Sequence, residues 1–208
     1  VISIGNELSK HCKSLGIDYQ PDWLAPIEEH LTLLSKWAPK INLSSVTAPE
    51  QALVRHVVDS LSLLQLDAVR EASGCAVDIG SGAGFPGIPL SIALSHMEWT
   101  LVEPRGKRGA FLNQVIFNTG LSNCTWFNGR VPHPDLENDF DLVVSRATFA
   151  PSDLIEQIEP ICGKDSVLAV MAASDPRWTL PPSWRLLQTC EFELGGASRW
   201  IAALRKEA

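Results

Sequence analysis

The stretch Val77-Asp78-Ile79-Gly80-Ser81-Gly82-Ala83-Gly84-Phe85-Pro86-Gly87 decides the fold of this chain. It begins with a short apolar run that suits a buried strand and continues into three alternating glycines. Glycine allows a tight turn and lets backbone N–H groups approach a ligand without interference from a Cβ atom. A helix is predicted from about Ile88. The order of strand, glycine loop and helix predicts a site for a nucleotide cofactor.

Two cofactors fit such a unit. A dinucleotide places its pyrophosphate at the helix N-terminus and needs an acid about 20 residues later for the ribose. S-adenosylmethionine has no phosphate, and its methyltransferases carry one acid two residues before the first glycine and another at the end of the next strand. Asp78 and Glu103 match that pattern and favour S-adenosylmethionine. The overlapping spacing Gly82-x-Gly84-x-x-Gly87 leaves a dinucleotide open, as does a glycine turn without any ligand.

Length, composition and charge limit the classes of protein to which this chain can belong. A chain of 208 residues suits one domain of ordinary size. Residues 1–13 show neither a basic leader nor a cleavage pattern, and no apolar run approaches the roughly 20 residues of a membrane span, so we expect a cytoplasmic protein. A net charge of −7 argues against coating nucleic acid through global charge, but it allows a local basic patch.

The cysteines and histidines give no sign of a metal site or a disulfide scaffold. The five cysteines are scattered and form no C-x-x-C pair, which predicts reduced, mostly buried thiols. The five histidines lack the spacing of metal ligands. We therefore expect no metal.

The order of predicted elements indicates an α/β fold. Apolar spacing predicts a helix from Asp22, its expected N-cap, to Ala38, and the capping box of Thr47 and Glu50 predicts the start of another. Strands are predicted near 75–79, 98–103, 124–128, 140–145 and 166–172, with helices near 88–95, 106–118 and 152–161. A loop is predicted over 175–182, followed by an antiparallel hairpin formed by 184–194 and 198–205. These elements predict a helical N-terminal cap over 1–72 and a parallel-sheet domain over 73–208, although the two may count as one domain.

Four cations follow predicted strands at their carboxyl ends. Lys107 and Arg108 come after the second strand, Arg130 after the third and Arg146 at the end of the fourth. Each of these side chains, taken alone, is also explained as a solvated charge on the surface. Their shared position at the edge where open α/β sheets bind ligands favours a binding rim.

Several motifs occur in the order seen in one family: Asn42-Leu43-Ser44-Ser45-Val46, Arg55-His56-x-x-Asp59-Ser60, the glycine loop extended through Ile88-Pro89-Leu90, Gly106-Lys107-Arg108, and Ser145-Arg146-Ala147. From about Trp23 to the C-terminus, the chain resembles the bacterial GidB/RsmG methyltransferases. The resemblance implies a seven-stranded, Rossmann-like S-adenosylmethionine-dependent methyltransferase sheet behind a helical cap. It also implies methyl transfer from S-adenosylmethionine to N7 of one guanine in small-subunit (16S) ribosomal RNA.

The resemblance also implies site residues. With the two acids and the loop glycines included, the expected cofactor-binding residues are Asp78, Gly80, Gly82, Gly84, Phe85, Glu103, Val131, Pro132 and Arg146. The expected RNA-binding set is Arg55, His56, Lys107, Arg108, Arg130 and Arg199. The chain departs from the family where Met171 replaces the usual lysine and where Glu103 replaces the usual aspartate.

Arg146 is the candidate catalytic residue. Methyl transfer is an in-line displacement that needs alignment, and N7 of neutral guanine already carries a lone pair, so no strong base is required. The chain accordingly lacks the Asn/Asp-Pro-Pro-Tyr/Phe motif of amino-group methylation and a Pro-Cys nucleophile. We expect Arg146 to position cofactor and guanine, and His56 and Asp59, one helical turn apart, to hydrogen-bond to each other.

The expected partner is small-subunit ribosomal RNA within a ribosomal particle, bound by a monomer. Two alternatives remain open at this point. One is a methyltransferase of the same fold that acts on a small molecule or a protein. The other is a dinucleotide-binding regulatory or redox module.

Overall fold

The computed structural model describes residues 3–136, 139–146, 151–172 and 180–207. Within them, strands form one sheet from β1 (Cys75–Ile79), β2 (Glu98–Val102), β3 (Cys124–Phe127), β4 (Leu142–Arg146), β5 (Val167–Ala172), β6 (Trp184–Leu194) and β7 (Ala197–Lys206). Their order is β3-β2-β1-β4-β5-β7-β6. The first five are parallel, and β7 pairs antiparallel with both β5 and β6. The seven-stranded sheet and the edge hairpin are confirmed.

The strand order places a crevice at the middle of the sheet. The chain runs from β1 outward through β2 to β3 and then returns to β4 on the other side of β1. Loops that leave β1 and β4 therefore diverge, and ligands of open α/β sheets bind at such a switch point.

Helices cover both faces of the sheet. They are α1 (Ile4–Ser14), α2 (Leu24–Trp37), α3 (Pro49–Ala52), α4 (Asp59–Leu61), α5 (Asp67–Arg70), α6 (Gly87–Ala93), α7 (Gly106–Thr119) and α8 (Pro151–Ile158). The strands and α6, α7 and α8 lie within a few residues of their predicted positions. Helix α1, whose Leu8 and Cys12 are buried, was not predicted. The loop expected over 175–182 falls mostly outside the described residues.

Alternation along the central strands builds two hydrophobic clusters. Ala76 and Val144 join the cluster that also holds the buried side chains of α1, α2 and the helices after them. Val77 and Val143 point to the opposite face, where α8 packs. The N-terminal helices thus share one core with the sheet, and a domain boundary between residues 72 and 73 stays a prediction.

The two predicted helix caps are wrong. Asp22 lies inside a 3₁₀ turn, Pro21–Trp23, and α2 begins after it with no side-chain cap. Ala48 occupies the N-cap position of α3, also without a side-chain hydrogen bond. Proline fixes both starts instead, because its preset φ suits the first turn and it has no N–H to satisfy.

Residues 49–65 form one helical rod with changing pitch. A π-helical turn, Leu53–Val58, separates α3 from α4, and a 3₁₀ turn, Ser62–Gln65, follows. The extra residue in the π turn rotates the side chains that follow it. His56 lies within the π turn and Asp59 directly follows it, and both side chains are buried. π turns are rare and occur frequently at functional sites.

Candidate active site

The glycine loop leaves β1 at the carboxyl edge of the sheet and returns over it. The N–H groups of Gly80 and Ser81 both donate to the carbonyl of Val102 on β2, at 2.9 and 3.0 Å. Gly84 has a φ of +86°, and a Cβ atom there would press on the side chain of Ile88. Because L-residues avoid such a φ and the space is filled, this position requires glycine.

Asp78 holds the loop from beneath. Its carboxylate is fully buried, and Oδ2 accepts the N–H of Gly87 at 3.0 Å, the first residue of α6. Burial raises the pKa of Asp78 to about 6, against the opposing hydrogen bond from Gly87. Asp78 therefore occupies the helix N-terminus where a dinucleotide would place its pyrophosphate, which argues against a dinucleotide.

A cavity of about 370 Å³ opens beside the loop, at the ends of β1, β2 and β3. We call it the glutamate cavity because Glu103 lies in its wall. Of the predicted site residues it is lined by Gly80, Glu103, Arg108, Arg130 and Val131. Sequence reasoning missed the other lining residues, which are Ile79, Val102, Pro104, Arg105, Gly129 and Gln157. A volume near 300–1,000 Å³ with mixed apolar and polar walls suits a small-molecule ligand.

Glu103 is held rigidly in this cavity. Oε2 accepts the N–H of Gly82 at 3.1 Å, and Oε1 accepts the N–H of Arg105 at 2.9 Å. Arg108 lies 3.6 Å from Oε2 through Nη1. A carboxylate has about four lone-pair sites, so acceptor capacity remains for a diol. These features fit the ribose of S-adenosylmethionine.

Arg108 also connects this cavity to the N-terminal segment. Its Nη2 and Nε atoms donate to the carbonyl of Asn42, at 2.8 and 3.2 Å. One guanidinium therefore contacts both Glu103 and the segment between α2 and α3. That shared contact positions the N-terminal helices next to the cavity.

Phe85 forms the centre of a stack next to the loop. Its ring lies 4.6 Å from the ring of His30 and 4.8 Å from that of His56, measured between centroids. The guanidinium carbon of Arg146 lies 5.5 Å from the Phe85 centroid. Phe85 is buried and is not among the residues lining the glutamate cavity. In this structure it supports Arg146 through a cation–π contact.

His56 contacts Arg146 rather than Asp59. Its Nδ1 lies 3.2 Å from Nη1 of Arg146 and 2.9 Å from the carbonyl of Arg55, while its Nε2 lies 2.8 Å from Ser44 Oγ. A guanidinium only donates, so the contact with Arg146 is a hydrogen bond when the ring proton is on Nε2. Burial and Arg146 lower the pKa of His56 to about 4, which keeps the ring neutral. The predicted hydrogen bond between His56 and Asp59 is wrong.

Asp59 contacts two guanidinium groups. Oδ2 lies 4.0 Å from Nη1 of Arg146, and Oδ1 lies 3.5 Å from Nε of Arg199. Burial raises the pKa of Asp59, and both arginines oppose that shift. Arg199 comes from β7, so three distant segments of the chain meet here.

A second cavity, of about 200 Å³, opens at these residues. We call it the aspartate cavity. The described residues in its wall are Asp59, Arg146, Met171, Ala172, Arg199, Trp200 and Ile201. Met171 pairs with Arg146 across β4 and β5, so the position without the family lysine presents an apolar wall.

The predicted site residues therefore divide into groups. Several predicted residues lie outside the two cavity walls. Gly82 contacts Glu103, Asp78 and Gly84 support the glycine loop, and Phe85 and His56 contact Arg146. Pro132, Arg55 and Lys107 are exposed and are not among the residues lining either cavity. Sequence reasoning missed Ser44 and the role of Asp59 in a cavity wall. Their signal was that both lie in motifs quoted for the family resemblance, residues 42–46 and 55–60.

The described residues show neither a membrane span nor a metal site. None of the described helices combines the length and the apolar character needed to cross a membrane. Within the same residues, no group of three or more His, Cys, Asp or Glu side chains could hold a metal ion.

Comparison with known proteins identifies similar sequences. A family model described as GidB, rRNA small subunit methyltransferase G, matches residues 24–180. Relatives named Ribosomal RNA small subunit methyltransferase G include one from Nitrosococcus oceani, 31% identical over 98% of this chain and 96% of that protein. One from Burkholderia thailandensis is 36% identical over 71% of this chain and 66% of its own length. The chain spans less than two thirds of that relative, and also of those from Nitrosomonas europaea (53%) and Clostridium perfringens (60%).

Solved structures share the fold. A mutant of MtNAS in complex with S-adenosylmethionine superposes with a TM-score of 0.60 at 18% identity, covering 86% of this chain and 73% of that one. TrmN from Thermus thermophilus gives a TM-score of 0.57 at 16% identity, covering 72% of this chain and 48% of that one. At such low identity the likeness shows a common fold alone.

Proposed function

The chain belongs to the GidB family of rRNA small subunit methyltransferase G proteins, and we propose that it methylates N7 of one guanine in small-subunit ribosomal RNA. The methyl donor is S-adenosylmethionine. One observation carries the proposal. The glutamate cavity and the aspartate cavity both open at the carboxyl edge of the sheet, and Arg146, at the end of β4, lines the second beside the glycine loop of the first.

The glutamate cavity suits the donor. Glu103 would accept hydrogen bonds from the ribose hydroxyls, and the apolar side chains of Ile79, Val102 and Val131, which line the cavity, would contact the adenosine. Bound there, S-adenosylmethionine supplies an electrophilic methyl group on a sulfonium. No phosphate-binding helix N-terminus is needed, which agrees with the use of Gly87 N–H by Asp78.

The acceptor side needs alignment rather than a base. When N7 of guanine attacks the methyl carbon, the N–C bond forms as the C–S bond breaks, and no proton leaves N7 in this step. The neutral ring of His56 and the ring of Phe85 hold Arg146 in place beside the acceptor. Arg146 then positions the base without transferring protons, since its guanidinium stays protonated.

Cations on the rim are proposed to bind the RNA backbone. Arg55, Lys107 and Arg130 are exposed, and phosphate contacts of this kind give affinity without sequence information. The chain as a whole carries a net charge of −7, and this acidic surplus weakens binding to naked RNA. We therefore propose that a monomer acts in the cytoplasm on a ribosomal particle, whose folded RNA presents the target.

Two measurements test this function. Nucleoside analysis of ribosomal RNA from a strain that lacks the gene should show one N7-methylguanosine missing, and the wild-type gene should restore it. Titration calorimetry should show binding of S-adenosylmethionine and of its demethylated product, but not of NAD. Unchanged RNA together with cofactor binding would indicate a small-molecule or protein substrate. Binding of NAD instead would overturn the methyltransferase assignment.

A further inference from the structure

The wall of the aspartate cavity has one acidic side chain among its described residues, and that is Asp59. The side chain keeps 9% of its surface exposed. The other described lining groups are two guanidinium groups and the apolar or aromatic side chains of Met171, Ala172, Trp200 and Ile201. A narrow cavity with one acceptor edge and apolar faces has the properties of a site for a single planar base.

The contacts of Asp59 are too loose for a purely structural ion pair. Charge-assisted hydrogen bonds between guanidinium and carboxylate are about 2.7–2.9 Å long and frequently bidentate. Here the closest distances are 3.5 Å to Arg199 and 4.0 Å to Arg146. Among the described residues, Oδ1 has no aligned hydrogen bond although it is shielded from solvent. A buried carboxylate in this condition retains unused acceptor capacity.

Guanine offers what this carboxylate lacks. Its Watson–Crick edge presents two neighbouring donors, N1–H and the N2 amino group, and a carboxylate can accept both. Adenine presents an acceptor at N1, which a carboxylate repels. Binding through the Watson–Crick edge also leaves N7 uncovered, which the proposed reaction requires. The guanidinium group of Arg199 lines the same cavity and can donate to O6.

We propose that Asp59 determines specificity for guanine by accepting hydrogen bonds from N1–H and the N2 amino group of a base that enters the aspartate cavity. The assignment rests on the proposed function, because it concerns the acceptor of that reaction. It gives Asp59 direct contact with the substrate. Arg199 takes the role of a positioning residue that orients the carboxylate.

Inosine gives a direct test, since it keeps N1–H and N7 but lacks the N2 amino group. Small-subunit particles would be reconstituted with ligated RNA that carries guanosine or inosine at the methylated position. For the wild-type enzyme, kcat/KM should fall about ten- to hundredfold on inosine, the effect of losing one hydrogen bond to a charged group. Equal rates on the two particles would overturn the proposal without any variant. No methylation of the guanosine particle would instead overturn the proposed function.

The variant Asp59→Asn separates recognition from a structural role. An amide offers one acceptor and places an NH₂ group against the guanine donors, so kcat/KM on guanosine should fall about ten- to hundredfold. The ratio of guanosine to inosine rates should fall to within about threefold of one. If Asp59 only supported Arg146, both substrates would lose rate equally and the ratio would stay at its wild-type value, which would overturn the proposal.

A matched control is the same change at an exposed carboxylate. Asp67 on α5 pairs with Arg70 at 2.6 Å and is not among the residues lining either cavity. Asp67→Asn should keep both the wild-type rate and the wild-type ratio. Calorimetry with S-adenosylmethionine should give all three proteins the same Kd within about twofold, because Asp59 does not line the glutamate cavity.

Discussion

The glutamate cavity and the aspartate cavity lie at the same edge of one sheet, but they are built differently. Glu103, in the first, is held by backbone N–H groups of Gly82 and Arg105, which lie in the loops after β1 and β2. Asp59, in the second, has no backbone donor of this kind among the described residues and lies 3.5–4.0 Å from guanidinium groups on β4 and β7. The first is therefore prepared by the local course of the chain, whereas the second depends on tertiary packing.

Arg146 is the residue that joins the two cavities. It lines the aspartate cavity and also lies over Phe85, whose loop borders the glutamate cavity. Burial lowers the pKa of Arg146, with Asp59 and Asp78 opposing the shift. The guanidinium stays protonated nonetheless, because the ordinary pKa of arginine is so high. A substitution in one cavity should therefore leave the other cavity unchanged, unless it acts through Arg146.

The largest effect is expected from Arg146→Ala. Turnover should fall about hundred- to thousandfold, the cost of losing one preorganised charged group at a reacting centre. The Kd for S-adenosylmethionine should change by no more than about threefold, because Arg146 does not line the glutamate cavity. Steady-state kinetics and calorimetry measure the two quantities.

The control for that variant is Arg185→Ala on β6, where an exposed arginine pairs with Glu207 at 2.9 Å. It should methylate at the wild-type rate. A folded Arg146→Ala protein with near-normal methylation would refute the assignment of Arg146. A Kd raised to the same extent as turnover falls would show that the two cavities are not separable.

Asp78→Asn tests how the buried carboxylate beneath the glycine loop contributes to the stability of the folded protein. The folded-state pKa of Asp78 is about 6, above the ordinary 3.8, so the folded protein binds the extra proton between these values. The contribution of Asp78 to stability is therefore greatest below pH 3.8 and is lost as the pH rises to about 6. Asparagine does not titrate, so its contribution to stability does not change with pH. The stability of the variant relative to wild type should rise by roughly 2 kcal/mol between pH 4 and pH 7.

Urea unfolding across that range measures the difference. His30 and His56, whose pKa values burial lowers to about 4, act with the opposite sign, because their contribution is lost as the pH falls from 6.5 to 4. Both histidines are present in wild type and variant, so their effect cancels in the comparison. A difference that does not change with pH would show that Asp78 is ionised at the same pH in the folded and unfolded protein.

The same contrast explains what the sequence predicted. Gly80, Gly82 and Glu103 were identified because the glycine loop and the end of β2 are each contiguous in sequence and carry their own chemical signature. The aspartate cavity could not be found in that way. Its wall combines residues 59, 146, 171–172 and 199–201, and only the fold brings them together. Asp59 directly follows a π turn, which the sequence did not predict.

The positions of two other predicted site residues also depend on the fold. Asp78 matched a cofactor motif, and it lies beneath the loop, where the hydrogen bond from the N–H of Gly87 stabilises the carboxylate against the burial that raises its pKa. Phe85 was carried over as a cofactor contact, and here it stacks between His30 and His56. A motif predicts which residues are close to a site. It does not predict which of them face the ligand.

Glu103→Gln should affect the glutamate cavity alone. The Kd for S-adenosylmethionine should rise about ten- to hundredfold, since hydrogen bonds to a charged group contribute roughly 1.5–3 kcal/mol. At saturating cofactor, turnover should recover to within a few fold of wild type. Glu98→Gln, an exposed residue at the start of β2, is the matched control and should leave the Kd unchanged. An unaltered Kd in Glu103→Gln would place the ribose elsewhere.

The smallest effect is expected for a cation of the binding rim that lines neither cavity. Lys107 is exposed in the first turn of α7 and is not among the residues lining either one. Its proposed contribution is a phosphate contact, so Lys107→Ala should weaken binding to the particle a few fold and reduce the slope of log K against log salt by about one. Turnover at saturating RNA should not change. Lys10→Ala on α1, which removes an exposed lysine paired with Glu7, should leave the salt slope at its wild-type value. Loss of turnover in Lys107→Ala would mean that the rim acts on the reacting groups, and the division into two cavities and a separate electrostatic surface would fail.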